Sequence, residues 1–302
     1  LSEQIMPPLN KEEIFDPAFL ASLSHLRVVA RRVPRDGRFA EQRSHDLGHG
    51  TDFRDFRPYA AGDDFRSIDW NIYQRLGRVF LRLYEELEDL PLYLMPDISR
   101  SLFLESPPRA LASLRTTLAL ASISLNHHDS TGLFPFSDDC KVLARPQTGR
   151  GKVMHFADRL AQLEPGGATD IRAAIKRFNS FGLRRGLLVV VSDFFDPGGI
   201  GAVVSALKQV RHNLLLVQLH RRSDAQPDLR GDVRLIDCES REAEDLSITP
   251  ALIKRYREVY DQFQADLAGF AKSRNAGLLR IDVDEEIVPQ LAGIFEGGRY
   301  VV

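Results

Sequence analysis

Hydrophobic spacing along the chain changes character near residue 90. Before it, one helical stripe stands out: Phe19, Leu20, Leu23, Leu26, Val28 and Val29 recur at helical intervals and predict a helix over residues 17–33. Residues 35–50 are polar and aperiodic and read as a loop. In residues 51–87 Asp, Arg, Gly and aromatic residues interleave, and only 79–84 alternates well enough to predict a strand.

Beyond residue 90, strands and helices alternate. Strands are predicted at 92–95, 132–136, 141–144, 187–191, 214–219, 233–237 and 278–283, with Ser137-Asp138-Asp139 as a hairpin turn between the second and third. Helices are predicted at 110–126, 152–163, 169–178, 201–210, 250–276 and 287–295. Thr249-Pro250 supplies an N-cap and a first-turn proline for the longest of them. The run Leu187 to Val191 has no polar alternation, as expected of a parallel strand covered on both faces. This order predicts an α/β fold, a doubly wound and mostly parallel sheet flanked by helices and Rossmann-like in plan. Residues 1–89 are expected to form an N-terminal extension packed on a core domain of residues 90–302.

Composition narrows the classes of function. The 302 residues are 43% hydrophobic and 27% charged, enough for a sizeable core and too apolar for global disorder. Forty basic residues against 42 acidic ones leave a net charge of −2, with no electrostatic footprint for nucleic acid or an anionic membrane. Cys140 and Cys238 cannot make a disulfide framework and read as core thiols in a reducing compartment. No stretch reaches the roughly 20 apolar residues of a membrane span, so a cytoplasmic location is expected. No signal-peptide pattern opens the sequence, and the start at Leu1 leaves open whether a leader was removed.

In an open parallel sheet, ligands bind beyond the carboxyl ends of the central strands. Asp97-Ile98-Ser99-Arg100-Ser101 follows the first predicted strand of the core, and Ser192-Asp193-Phe194-Phe195-Asp196 follows the most apolar one. Thr169 stands after the Gly166-Gly167 turn. Asp97, Ser99 and Ser101 alternate, so an extended turn points their oxygens to one side. Two carboxylates and three hydroxyls form a hard, oxygen-only donor set suited to Mg²⁺ or Mn²⁺. With few charged ligands the ion stays electrophilic, and a partner's Asp or Glu can complete its shell. The competing reading makes Asp97 and Ser99 helix caps and Asp193 an ordinary loop acid.

These residues resemble the metal-ion-dependent adhesion site (MIDAS) of von Willebrand factor A domains, an Asp-x-Ser-x-Ser with a distant Thr and a distant Asp. The resemblance covers about residues 90–300. It implies a von Willebrand factor A-like fold and a metal held by Asp97, Ser99, Ser101, Thr169 and Asp193. Upstream, the run from Gly50 to Trp70 holds Arg57-Pro58-Tyr59, Gly62-Asp63-Asp64-Phe65-Arg66 and Ile68-Asp69-Trp70, followed by Arg75-Leu76-Gly77. This run resembles the signature of the domain of unknown function 58 family. That resemblance implies a bacterial, non-catalytic adaptor that binds protein partners. It would act with a MoxR-type AAA+ ATPase in assembly or maturation of client proteins. Arg57, Asp63, Asp64, Arg66 and Asp69 form either part of the partner surface or a salt-bridged network that pins a long loop.

Rival chemistries fail on spacing. Gly149-Arg150-Gly151-Lys152-Val153 lacks the Ser or Thr after Lys and the earlier Gly of a phosphate loop; those positions hold Val153 and Pro146. His45 and His49 have no third ligand nearby, and no Gly-x-Ser-x-Gly nucleophile elbow occurs. A metal-dependent phosphohydrolase using Asp97, Asp193 and Asp196 is the enzymatic alternative, but only Arg100 is at hand to neutralise a phosphate.

Overall fold

The computed structural model describes residues 10–32, 52–60, 65, 68–85, 91–238 and 242–296. The chain forms two compact units, one of residues 1–33 with 90–302 and one of residues 34–89. The two N-terminal helices belong to the first unit, together with residues 90–302.

The first unit opens with α1 (Lys11–Ile14) and α2 (Pro17–Arg32). In the second unit, β1 (Asp52–Pro58) pairs antiparallel with β2 (Phe80–Glu85), and α3 (Trp70–Leu76) lies between them in sequence. The sequence pattern did not reveal β1 or α3. A register shift between Phe53 and Asp55 breaks the alternation of β1. Helix α3 instead depends on its ends: Asp69 accepts from the backbone N–H of Asn71 and Ile72, and Gly77 takes the left-handed C-cap at φ 66°.

The first unit continues with β3 (Leu92–Pro96), α4 (Arg109–Asn126), β4 (Thr131–Leu133) and β5 (Ala144–Gln147). Next come α5 (Lys152–Ala161), α6 (Ile171–Ser180), β6 (Leu187–Ser192), α7 (Gly199–Leu207), β7 (Asn213–His220) and α8 (Arg222–Ala225). The unit closes with β8 (Gly231–Ile236), β9 (Ala243–Ile248), α9 (Pro250–Arg274), β10 (Gly277–Asp282) and α10 (Ile287–Glu296). The sheet order is β10-β7-β6-β3-β4-β5, parallel throughout except for the β4–β5 pair at one edge. Numbered from β3, this is the 3-2-1-4-5-6 order of a doubly wound sheet. The α/β class and the doubly wound, mostly parallel sheet are as expected.

Alternation hidden in the apolar strands sorts the core into two layers. Leu92 and Leu94, Val189 and Val191, and Leu215 and Val217 face a cluster with α1, α2, α4, α5 and α10. Tyr93 and Met95, Leu188 and Val190, and Leu214 and Leu216 face a second cluster with α6, α7 and α9. Both faces are covered, so the period of two is real but invisible to polarity.

Three expectations need correction. The hairpin reverses at residues 137–139 as expected, through the Phe136–Cys140 bridge, but its ladder lies outside that turn, with β5 at Ala144–Gln147. Strand β9 was not expected; its sequence is polar because the β8–β9 hairpin is largely exposed. Cys140 is buried, with its Sγ 3.6 Å from the Phe134 carbonyl, whereas Cys238 just past β8 is only half-buried and is not a core thiol. Among the described residues no helix is long and apolar enough to cross a membrane.

Candidate metal centre

Strands β3 and β6 are neighbours in the sheet but lie at the point where chain order reverses, the position at which doubly wound sheets bind ligands beyond their carboxyl ends. Asp97 leaves β3 there and Asp193 leaves β6. The Asp97 N–H donates to the Val191 carbonyl at 2.8 Å, so the two strand ends are held in register to their last residues.

Asp97 is fully buried, and both its oxygens are engaged. Oδ1 accepts from the Ser99 N–H at 2.8 Å and Oδ2 from the Ser192 hydroxyl at 2.6 Å. The first bond shapes the turn that sets the Ser99 and Ser101 hydroxyls 3.1 Å apart. Ser192 Oγ in turn accepts from the Phe194 N–H at 2.9 Å, which orients the loop carrying Asp193.

The Thr169 loop is tied to the other two. Gly166 N–H donates to the Ile98 carbonyl at 2.6 Å, and Arg100 N–H to the Gly167 carbonyl at 3.1 Å. A Cβ on Gly166 would stand 2.3 Å from Ser137 Oγ and 3.1 Å from the Ile98 oxygen, so only glycine permits this approach. From the other side, Asp196 Oδ2 accepts from the Ile171 N–H at 2.9 Å. Thr169 is buried in the turn between these ties. The structure thus gathers the segments bearing Asp97, Ser99, Ser101, Thr169 and Asp193 at one end of the sheet.

The Asp193 carboxyl is pushed up to about 7, first by burial and then by the charge of Asp97; Arg109 and the Phe195 N–H work in the opposite direction. Two buried carboxylates, the charge of Asp97 raising Asp193, together with two hydroxyls 3.1 Å from each other, are chemically suited to a hard divalent cation. Among the described residues no three His, Cys, Asp or Glu side chains are grouped to hold a metal, so hydroxyl oxygens would have to supply much of a shell here.

Sequence reasoning missed the groups around this centre. Arg109, at the start of α4 and only 4% exposed, lies with Nη1 3.6 Å from Asp193 Oδ2. Its Nε donates to Glu105 at 2.8 Å and its Nη2 to Asp224. Burial disfavours the guanidinium charge, but the hydrogen bonds to Glu105 and Asp224 and the charges of Asp193 and Asp224 outweigh it, so the group is held above its ordinary value. Arg221 pairs with Glu105 at 2.9 Å and Asp284 at 3.0 Å. Arg221 and Asp224 follow β7 and could have been found by inspecting what comes after that strand. A buried arginine at a helix start carries no such signal.

Of the signature residues, Asp69 is buried and spends its carboxylate capping α3, and Arg57 is half-buried in β1. Asp63, Asp64 and Arg66 lie outside the described residues, as do His45 and His49.

Comparison with known proteins settles the family. Residues 55–266 match the family described as protein of unknown function DUF58. The chain belongs to the DUF58 family. This DUF58 chain is 26% identical over 286 residues to uncharacterized protein Rv1480 of Mycobacterium tuberculosis and to uncharacterized protein Mb1516 of Mycobacterium bovis. Each alignment covers 93% of this chain and 90% of the relative. Among solved structures, BatB from Bacteroides thetaiotaomicron is 14% identical at a TM-score of 0.41, covering 70% of this chain and 98% of that one. Manganese-loaded TRAP of Plasmodium vivax is 16% identical at a TM-score of 0.38, covering 69% and 74%. At these scores the likenesses say nothing about the site of the DUF58 chain.

Proposed function

We propose that this DUF58 protein is a non-catalytic adaptor whose rim-of-sheet site, of the MIDAS type, holds Mg²⁺ or Mn²⁺ and captures a carboxylate from a protein partner. The observation that carries the reading is the convergence of Asp97, Ser99, Ser101 and Asp193 at the switch point of the sheet. Ser99 and Ser101 would bind the ion directly, with Asp97, Thr169 and Asp193 acting directly or through water. Around the centre, Glu105, Asp193, Asp224 and Asp284 pair with the guanidiniums of Arg109 and Arg221, and the charge of Asp97 adds to that of Asp193, a surplus of carboxylates that a divalent cation offsets. Residues 1–89, with their signature segment, would serve the same partner. That partner is a MoxR-type AAA+ ATPase or its client in assembly or maturation, and the setting is the cytoplasm.

Metal-dependent phosphohydrolysis is the second reading, and Asp196 weighs against it. Its oxygens already accept from the Ile171 N–H at 2.9 Å and the Gly198 N–H at 2.7 Å, so it is spent on holding loops. Arg109, the cation nearest Asp193, is buried in ion pairs rather than presented to a phosphate.

The test is a Mn²⁺ titration followed by electron paramagnetic resonance. One saturable site is expected, lost in the Ser99→Ala, Ser101→Ala double variant. Binding to a purified MoxR-type ATPase should then disappear in chelator. Metal-independent association of equal strength, or Mg²⁺-dependent turnover of phosphate esters lost in Asp193→Ala, would refute the adaptor reading.

A further inference from the structure

The fold treats the two oxygens of the buried Asp193 differently. Oδ1 accepts from the Phe195 N–H at 3.0 Å, whereas among the described residues no hydrogen bond reaches Oδ2. The cation beside Oδ2 is Arg109, whose Nη1 stands 3.6 Å away, outside hydrogen-bond reach. That Nη1 is itself buried and has no hydrogen-bond partner. A buried donor left unbonded is costly. A charge-assisted bond would form at about 2.7–2.9 Å, so a small movement of the guanidinium would satisfy both groups.

What opposes that movement lies on the other side of the guanidinium. Nε donates to Glu105 at 2.8 Å and Nη2 donates to Asp224. Glu105 is shared, because its Oε2 also pairs with Arg221 Nη1 at 2.9 Å, and its side chain is 35% exposed. The Asp224 side chain is 9% exposed and is itself fixed. Its Oδ2 accepts from the Arg221 N–H at 2.8 Å, and its carbonyl accepts from the Tyr256 hydroxyl at 2.7 Å. Asp224 is therefore the firmer of the two anchors.

We infer that Asp224 is a positioning residue of the metal centre: it holds the Arg109 guanidinium back from Asp193, so that Oδ2 stays open to a cation. Without Asp224, Arg109 would close on Asp193, and an incoming Mg²⁺ or Mn²⁺ would have to displace a charge-assisted hydrogen bond. Helix α8, which carries Asp224 and is tied to α9 through Tyr256, thereby sets the affinity of a site to which it contributes no ligand. Removing Asp224 also removes a negative charge that reaches Asp193 directly. A double-mutant cycle with Arg109 separates the two effects. The inference rests on the metal reading above, and the experiment tells their failures apart.

Mn²⁺ affinity is measured by electron paramagnetic resonance on the whole chain as the parent, Asp224→Ala, Arg109→Met and the double variant. In the parent background Asp224→Ala should weaken Mn²⁺ binding about tenfold, the low end of what groups that orient a metal ligand contribute. In the Arg109→Met background the same substitution should cost about threefold or less, the screened effect of a charge that touches no ion. Arg109→Met by itself should leave Mn²⁺ bound at least as tightly as in the parent. Equal losses in both backgrounds, or no loss in the parent background, would overturn the inference and leave the metal reading standing. Absence of Mn²⁺ binding in the parent would sink both. The unsubstituted protein supplies a check that needs no variant to fold. Saturating Mg²⁺ should shift the Arg109 Nε–H signal and the Arg221 amide signal in heteronuclear NMR spectra, because that amide donates to Asp224. Signals that stay in place at saturation count against the inference, since a group that only stabilises the fold would not respond to the ion.

Discussion

The Ser192 hydroxyl donates to Asp97 Oδ2 at 2.6 Å, linking side chains that are 95 residues apart in the chain and stand at the ends of adjacent strands. With Asp97 Oδ1 already accepting from the Ser99 N–H, the carboxylate is fixed in orientation before any cation arrives. Groups that orient a ligand in this way are commonly worth about 10- to 100-fold in metal affinity. Ser192→Ala should therefore weaken Mn²⁺ binding by about tenfold or more while the far-ultraviolet circular dichroism stays unchanged. Undiminished affinity would mean that the Ser192 bond does not orient Asp97 for the ion.

Burial of Asp193 next to Asp97 makes the apo protein sensitive to pH. Its carboxyl is raised from the ordinary 3.8 to about 7, so the folded state binds its proton more tightly than the unfolded chain. Stability from this group is complete below the ordinary value and is lost as pH rises through about 7. In chelator, Tm should fall by several degrees between pH 5 and 8, less so in Asp193→Asn. Mg²⁺ should restore it at pH 8 and have little effect at pH 5. A flat Tm profile in chelator would contradict the burial of a proton-binding carboxyl here.

Arg109 is the cation of a buried network formed with Glu105, Asp224 and Asp193. Its removal leaves the buried carboxyls of Asp193 and Asp224 without that cation, whereas Glu105 keeps Arg221, a change that costs about 3–5 kcal/mol. Arg109→Met should lower the urea midpoint accordingly, and Mg²⁺ should recover part of the loss by taking over the charge beside Asp193. A midpoint within error of the parent protein would show that the ion pairs contribute no net stability.

The Gly166 contact allows a steric test of loop convergence. In Gly166→Ala the new methyl would meet Ser137 and the Ile98 carbonyl, pushing the Thr169 loop away from the Asp97 loop. Mn²⁺ affinity should drop while Tm changes by only a few degrees, because the contact lies at the rim of the sheet and not in its core. Equal effects of Gly166→Ala on binding in wild-type and Thr169→Ala backgrounds would show that Thr169 is not the group displaced.

The parallel strands were legible because two-sided burial demands continuous apolar runs, as at Leu187 to Val191. The position of Asp97, Asp193 and Thr169 at one end of the sheet was legible because each follows a strand or a glycine turn. Strand β9 and helix α3 were not. The first is exposed and therefore polar, and the second is short and depends on its caps, Asp69 and Gly77.

From the sequence came the α/β class, the main strands and helices of the core, and the oxygen-bearing residues that could reach the carboxyl edge of the sheet. These were legible because local periodicity and turn chemistry are properties of neighbours in the chain. Only the folded chain shows that Ser192 orients Asp97 and that Arg109 lies beside Asp193. Those pairings arise from strand order and helix packing, which bring together residues separated by dozens of positions and leave no periodic trace in the chain.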